Sequence, residues 1–231
     1  MTAICIGNGE FRKNINVNKL ALLGSTYGSN AIIREHNVQY LTCCDKRMVV
    51  ESLDSGFTGP IYTRADWSNS FPDNVQPFPV FTWEQDEKWK QTFHWGSGVH
   101  AVYLALTHKH KELIIIGHDF WGVGEQDQLH NNLYKGTNNY EAVNHHKIDP
   151  SFWIKQFELL AGLFPDVRFN FYQPNMWRHP SEYDYNWRDY NNIHIKHHEE
   201  LQLRIKHEEL KRKQPLDFYT KSQIEYDRFD G

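Results

Sequence analysis

The sequence predicts an α/β fold in which a mostly parallel sheet is covered by helices on both faces. Three observations predict it. Ala3–Ile6 and Leu113–Ile116 are short runs too apolar for half-exposed strands, and each stops at glycine. Between such runs lie stretches with helical spacing, of which Val99, Val102, Tyr103 and Leu106 form the clearest. The order strand, turn, helix then recurs along the chain, as the crossovers of a parallel sheet require.

The first strand, Ala3-Ile4-Cys5-Ile6, ends at Gly7-Asn8-Gly9. A second is expected from Leu20 to Tyr27, interrupted by Gly24 and closing at Gly28-Ser29-Asn30. Tyr40 to Cys44 reads as a third, ending at Asp45; Lys46 to Leu53 then reads as a helix that stops at Gly56. Pro60 to Thr63 is a short strand. From Asp66 to Glu87 the chain is rich in Pro, Asn and Trp, and a loop is expected with at most a short strand near Phe78 to Phe81. Ser97 is placed as the N-cap of the helix that carries Val99 to Leu106. Leu113-Ile114-Ile115-Ile116-Gly117 is the strongest strand.

The polar stretch from Gly122 to Lys147 is long for a compact domain and is expected to be a lid. Asp149 reads as an N-cap with Pro150 at the first helical position, and Phe157, Leu160, Ala161 and Phe164 form the buried stripe that follows. Val167 to Tyr172 is the last strand, ending at Gln173-Pro174-Asn175. His197 to Gln214 is a charged helix with Glu200–Arg204, Glu208–Arg212 and Glu209–Lys213 at i, i+4 spacing and a poor apolar stripe. The expected organisation is a Rossmann-like nucleotide-binding domain over residues 1–190, with its lid at about 122–147, and a helical extension over 191–231.

Composition narrows the function. A chain of 231 residues, 39% hydrophobic and 15% aromatic, can bury a core without disulfides. Its net charge of −4 argues against a general nucleic-acid or membrane-surface binder, although 14 histidines soften that in acid. Cys5, Cys43 and Cys44 lie in apolar runs, and the adjacent pair points to opposite faces of a strand, so reduced, buried thiols are expected. With no basic stretch after Met1 and no apolar run of membrane length, a cytoplasmic protein is expected. A homo-oligomer is compatible with all of this.

Open parallel sheets bind ligands at the carboxyl ends of their strands. Those ends carry Gly7, Asn8 and Gly9; Ser29 and Asn30; Asp45; His118 and Asp119; and Gln173, Pro174 and Asn175. Their convergence predicts a crevice. The first two glycines match a dinucleotide fingerprint, but Arg12 replaces the third and Asn30 stands where an acid would grip a ribose, which disfavours a nicotinamide or flavin enzyme. Gly96-Ser97-Gly98 at a helix start offers backbone N–H groups to an anion. Asp119 is placed to bind a hydroxyl, to act as a base or to cap a turn. His145 and His146, at the end of the lid, are either general bases or solvated loop residues. His194, His197 and His198 lack metal-ligand spacing, no P-loop is present, and no metal site is expected.

Ile4-Cys5-Ile6-Gly7-Asn8-Gly9 with Asn14-Ile15-Asn16, Tyr27-Gly28-Ser29-Asn30, and Ser97-Gly98-Val99 through Lys111-Glu112-Leu113, Gly117, Asp119 and Phe120 together resemble the bacterial lipooligosaccharide sialyltransferases. Gln173-Pro174-Asn175 resembles that family's final Pro-Asn turn. The match runs from residue 4 to 175 and is dense only over 97–120; the chain also resembles proteins of tailed phages. The resemblance implies a single Rossmann-like domain and a metal-independent, inverting transfer from a CMP-activated sugar to a glycan or other hydroxyl acceptor, with no further cofactor. By position it implies that Asn8, Asn30, Ser97 and Gly98 hold the CMP moiety, that Pro174 and Asn175 border the cytosine, and that Asp119 lies beside the donor. The family's catalytic His corresponds to His146 or His145. Trp121 stands where the family has a phosphate-assisting Tyr, a role that falls to Tyr134 or Tyr140 here. Two alternatives stand beside this reading: a Mg²⁺-dependent diphosphokinase-like transferase with Asp45 and Asp119 as metal ligands, and a non-catalytic phage accessory or assembly protein in the host cytoplasm.

Overall fold

The computed structural model describes residues 1–81, 95–179 and 187–213. Its strands are β1 (Thr2–Ile6), β2 (Ser25–Ser29), β3 (Tyr40–Thr42), β4 (Ile61–Thr63), β5 (Val75–Pro77), β6 (Glu112–Ile116), β7 (Arg168–Gln173) and β8 (Ile193–His197). They form one sheet in the order β5-β4-β3-β2-β1-β6-β7-β8, with every neighbouring pair parallel. The helices are α1 (Val17–Leu20), α2 (Lys46–Asp54), α3 (Ala65–Ser68), α4 (Ser97–Thr107), α5 (Ser151–Leu163) and α6 (His198–Lys213). This is an α/β fold of Rossmann type.

Strand alternation divides the interior into two cores. Ala3, Cys5, Leu113, Ile115, Phe169 and Phe171 face α4, α5 and Trp187. Ile4, Ile6, Leu41, Ile114 and Ile116 face the opposite layer, where Val17 and Leu20 of α1, Met48 and Val49 of α2 and Leu201 and Ile205 of α6 pack. Burial on both faces explains why the central strands are continuous apolar runs.

Several elements differ from the sequence reading. The second strand is Ser25–Ser29, because Leu20 closes α1 and sinks into the core with no exposed surface. The third strand stops at Thr42, two residues early. The last strand before the Pro174 turn begins at Arg168. The edge strand is Val75–Pro77 rather than Phe78–Phe81; Phe78 instead stacks on His100 with ring centroids 3.7 Å apart. Residues 82–87 of the expected loop lie outside the described residues. Ser97 does not cap α4: Gly96 holds the extended cap position, and the Ser97 hydroxyl accepts the Cys44 N–H at 2.9 Å. α5 begins one residue later than read, at Ser151 with Pro150 in the cap position; Asp149 still accepts the Ser151 N–H at 2.9 Å, and Pro150 O accepts from the Ile154 N–H at 3.0 Å.

The sequence reading contained no strand over Ile193–His197; β8 pairs with β7 from Phe169↔Ile193 to Gln173↔His197. Residues 193–213, read as part of a helical extension, thus supply a strand and a helix to the same sheet and core. The expected i, i+4 pairs of α6 also point elsewhere. Arg204 reaches Glu112 through two bonds of 2.8 and 2.9 Å, Glu209 pairs with Lys19, and Glu208 pairs with Lys211. Gln214 lies outside the described residues. No helix among the described residues is long and apolar enough to cross a membrane.

Candidate functional site

Strand order reverses between β1 and β6, since the chain builds outward from β1 to β5 and then returns to the other side of β1. A crevice at that switch point is the expected ligand position. A cavity of about 340 Å³ lies there, bounded by the loops after β1, β2, β3 and β6, the start of α4 and part of the Gly122–Lys147 segment.

The loops after β1 and β6 are zipped together. The Gly7 N–H donates to Ile116 O at 2.8 Å and the Gly9 N–H to Gly117 O at 2.9 Å. A Cβ at Gly7 would collide with Gly117 O, and one at Gly9 with the Asp119 carboxylate. The glycines serve this close approach, and with their N–H groups occupied, the turn presents Asn8 to the cavity. Asn8 Nδ2 donates to Ser29 O at 3.0 Å, which leaves Asn8 Oδ1 buried without a partner. Asn30 has a left-handed φ of 50°, a conformation that Asn tolerates better than most residues, and its Oδ1 is likewise buried and unpartnered.

Asp119 is 3% exposed; its Oδ2 accepts the Phe11 N–H at 2.9 Å and Oδ1 has no hydrogen bond of normal geometry. Burial pushes its carboxyl up to about 7, against the pull of the Phe11 N–H, the Asn131 amide and the Arg12 guanidinium. Burial pushes the His118 imidazole down to about 4, and its Nε2 is buried without a partner. Phe120, next in line, takes a φ of 62° and wedges its ring against Phe157 and Trp187. A bulky residue in that conformation stores strain beside the cavity, a cost of order 1–3 kcal/mol.

Gly7, Asn8, Gly9, Asn30, Asp45, Ser97, Gly98, Asp119, Trp121 and Tyr140 all line the cavity. Pro174, Asn175, Tyr134, His145 and His146 do not; Asn175, His145 and His146 are exposed. His145 Nδ1 meets His146 O at 2.6 Å, and its Nε2 lies 3.6 Å from Glu141. Tyr134 is buried behind the wall, accepting from Arg12 Nη2 at 3.0 Å. The Trp121 indole N–H donates to Arg178 O at 2.7 Å, and of the two tyrosines expected to assist the phosphate only Tyr140 lines the cavity. The Tyr140 hydroxyl accepts from the Ala31 N–H at 3.3 Å, and burial raises its pKa to about 12.

His130 and Trp153 line the cavity and were missed. One is a single polar residue in a polar stretch and the other an aromatic in a helix, and neither carries a signal of its own in the sequence. His130 is 8% exposed and burial lowers its pKa. The expected lid is closely tied down: the Leu133 N–H donates to Asn8 O, Asn131 bridges the Glu10 N–H and Trp121 O, and Lys135 pairs with Glu10. Among the described residues no group of three or more His, Cys, Asp or Glu is placed to hold a metal. Asp45 caps α2 through the Arg47 N–H and pairs with the Arg47 guanidinium at 2.7 Å.

No protein-family model matches the chain, and neither a curated protein nor a solved structure matches it.

Proposed function

We propose that the crevice binds a nucleotide-activated sugar, with CMP as the carrier, and that the protein transfers the sugar to an acceptor hydroxyl with inversion and without a metal. The observation that carries the reading is the set of three buried oxygens on the cavity wall that lack a protein partner: Asn8 Oδ1, Asn30 Oδ1 and Asp119 Oδ1. A ligand with hydroxyl and amino donors, such as a ribose or cytosine, can supply the hydrogen bonds these oxygens do not receive from the protein. The sequence resemblance over residues 97–120 supports CMP in particular.

Asp119 supplies the base in this reading. Its carboxyl titrates near neutrality because it is buried, which matches it to deprotonating an alcohol at physiological pH. As the acceptor oxygen bonds to the anomeric carbon, its proton passes to the Asp119 carboxylate. The bond from that carbon to the phosphate oxygen breaks with its electron pair on the phosphate. The three free cysteines, Cys5, Cys43 and Cys44, support a reducing compartment, the cytoplasm.

One feature favours a second reading. Asp45 and Asp119 both reach the cavity, as a Mg²⁺-dependent diphosphokinase would need, although Asp45 is already held by Arg47. The discriminating experiment is turnover of a CMP-sugar in chelator. Undiminished transfer supports the proposal, transfer restored only by Mg²⁺ supports the second reading, and the absence of any thermal shift with CMP, CDP or other nucleotides supports a non-catalytic protein. A ligand at 100 times its Kd adds roughly 2.7 kcal/mol of stability, enough to read directly.

A further inference from the structure

The start of α4 opens onto the cavity between two aromatic rings. Val99 and His100 both give their N–H groups to Gly96 O at 3.0 Å, and the Ser97 and Gly98 N–H groups have no acceptor among the described residues. The Trp153 indole nitrogen lies against Gly96, where a Cβ would come within 2.8 Å of it. The His118 ring lies against Gly98, where a Cβ would come within 2.6 Å of Cε1 and 3.4 Å of Nε2. The glycines on either side of Ser97 are therefore what admit these two nitrogen-bearing edges. His118 Nε2 is buried without a partner, and the Trp153 N–H has no acceptor among the described residues.

The helix start is also held rigidly. The Ser97 hydroxyl accepts the Cys44 N–H at 2.9 Å, and Ser97 O accepts from the Thr42 hydroxyl at 2.7 Å, so the end of β3 and the turn after it fix the position of both free amides.

We propose that the Ser97 and Gly98 amides, the Trp153 indole N–H and the His118 Nε2–H form an anion hole of neutral donors that takes a phosphoryl group. The nucleotide reading above says which molecule carries that group; the hole itself rests on the geometry. Oriented dipoles hold an anion without neutralising it, and the α4 macrodipole adds roughly half a positive charge. Burial keeps His118 uncharged at neutral pH, as a donor of this kind requires. Arg47, paired with Asp45, and Lys147 line the same cavity. A hole of neutral donors stabilises charge as it develops on a departing phosphate and releases the product more readily than a fixed cation would.

The test titrates the full chain with inorganic phosphate, cytidine and CMP, following the ¹⁵N signals of the His118 ring and the Trp153 indole. Calorimetry is then repeated on Trp153→Phe and His118→Phe. Expected are shifts of both signals with phosphate and CMP, little change with cytidine, and about a tenfold loss of phosphate and CMP affinity in each substituted protein, the worth of one hydrogen bond to a charged group. The signals of the unsubstituted protein answer the question even if one substitution impairs folding. Binding of CMP with both signals still and both affinities unchanged overturns the anion hole and leaves the nucleotide reading intact. Phosphate bound at His118 and Trp153 without any affinity for CMP keeps the hole and removes the nucleotide reading. Failure of both phosphate and CMP to bind overturns the proposal.

Discussion

The two edges of the one sheet treat buried polar groups in opposite ways. Toward the amino edge, Glu112 accepts from the Thr2 hydroxyl at 2.7 Å and from both arms of Arg204, and its pKa falls to about 2, first because of Arg204. Nearby, the Tyr27 hydroxyl is engaged by His108 Nδ1 at 2.8 Å and His110 Nε2 at 3.0 Å, and His110 Nδ1 is the one buried atom of this cluster left without a partner. At the carboxyl edge, Asn8, Asn30, His118 and Asp119 each keep a buried atom unbonded. A saturated group stabilises the fold by itself; an unsaturated one lowers stability until a ligand completes it. On the proposed function, the contrast separates an edge that is mostly scaffold from the edge that holds the candidate site.

Asp119→Asn is the strongest way to break this contrast. Transfer should fall by about 10²- to 10⁴-fold. Folding stability should move in the opposite direction. An unfolded Asp titrates near about 3.9, whereas Asp119 holds its proton to about 7. Between those values the folded state binds the extra proton, so stability falls as pH rises through the window and is lowest above it. The substituted protein should lose that slope and be the more stable of the two at pH 8, as denaturant titration at several pH values would show. A slope that persists would assign it to another group.

Arg204→Met probes the scaffold edge. It should cost about 1–3 kcal/mol at pH 7, measured by urea unfolding, and leave nucleotide affinity unchanged. Because the Glu112 pKa is depressed, its contribution is present above the unfolded value of about 4.3 and is lost as pH falls toward about 2, so the difference between the proteins should shrink in acid.

Asn30→Gly should weaken nucleotide binding about tenfold and change stability by less than about 1 kcal/mol, because glycine accepts the left-handed φ of 50° while removing the amide. Equal affinity in calorimetry would remove Asn30 from the site. The smallest effect belongs to His145→Ala and His146→Ala. Both side chains are exposed outside the cavity, so the transfer rate should stay within about twofold of the parent. A large loss would restore a lid histidine as the base in place of Asp119.

The site edge was more legible in the sequence than the periphery. Apolar runs that stop at Gly7, Gly117 or Gln173 locate strand ends because buried parallel strands are apolar throughout, and the polar residues that follow are forced to the rim. β2 was misplaced for the same reason. Its sequence, Ser-Thr-Tyr-Gly-Ser, is polar and small, while the neighbouring Leu20 to Leu23 is apolar but turns as a short helix and its exit. β8 was invisible because an edge strand is half exposed: only Ile193 and Ile195 are apolar, set among His194, Lys196 and His197. The role of Trp153 was illegible because it depends on what stands opposite in space, the missing side chain of Gly96 more than fifty residues earlier.

The strand order also sets a timetable. β2, β3, β4 and β5 add to β1 in the order of synthesis, each on the outer flank of the last. The other flank of β1 waits for β6, whose pairing begins at Thr2↔Glu112. At about 5–20 residues per second a ribosome takes on the order of 5–20 s to cover that interval. Throughout it Ile4 and Ile6 lack a neighbour on that side, and no tight turn shortens the wait because every pairing in the sheet is parallel. Once β6 arrives, β7 and β8 follow outward. The switch point is thus the seam between an early-made and a late-made half, and the cavity lies across it. A nascent chain that halts before β6 carries Asn8 and Asn30 but has neither His118 nor Asp119 to set opposite them.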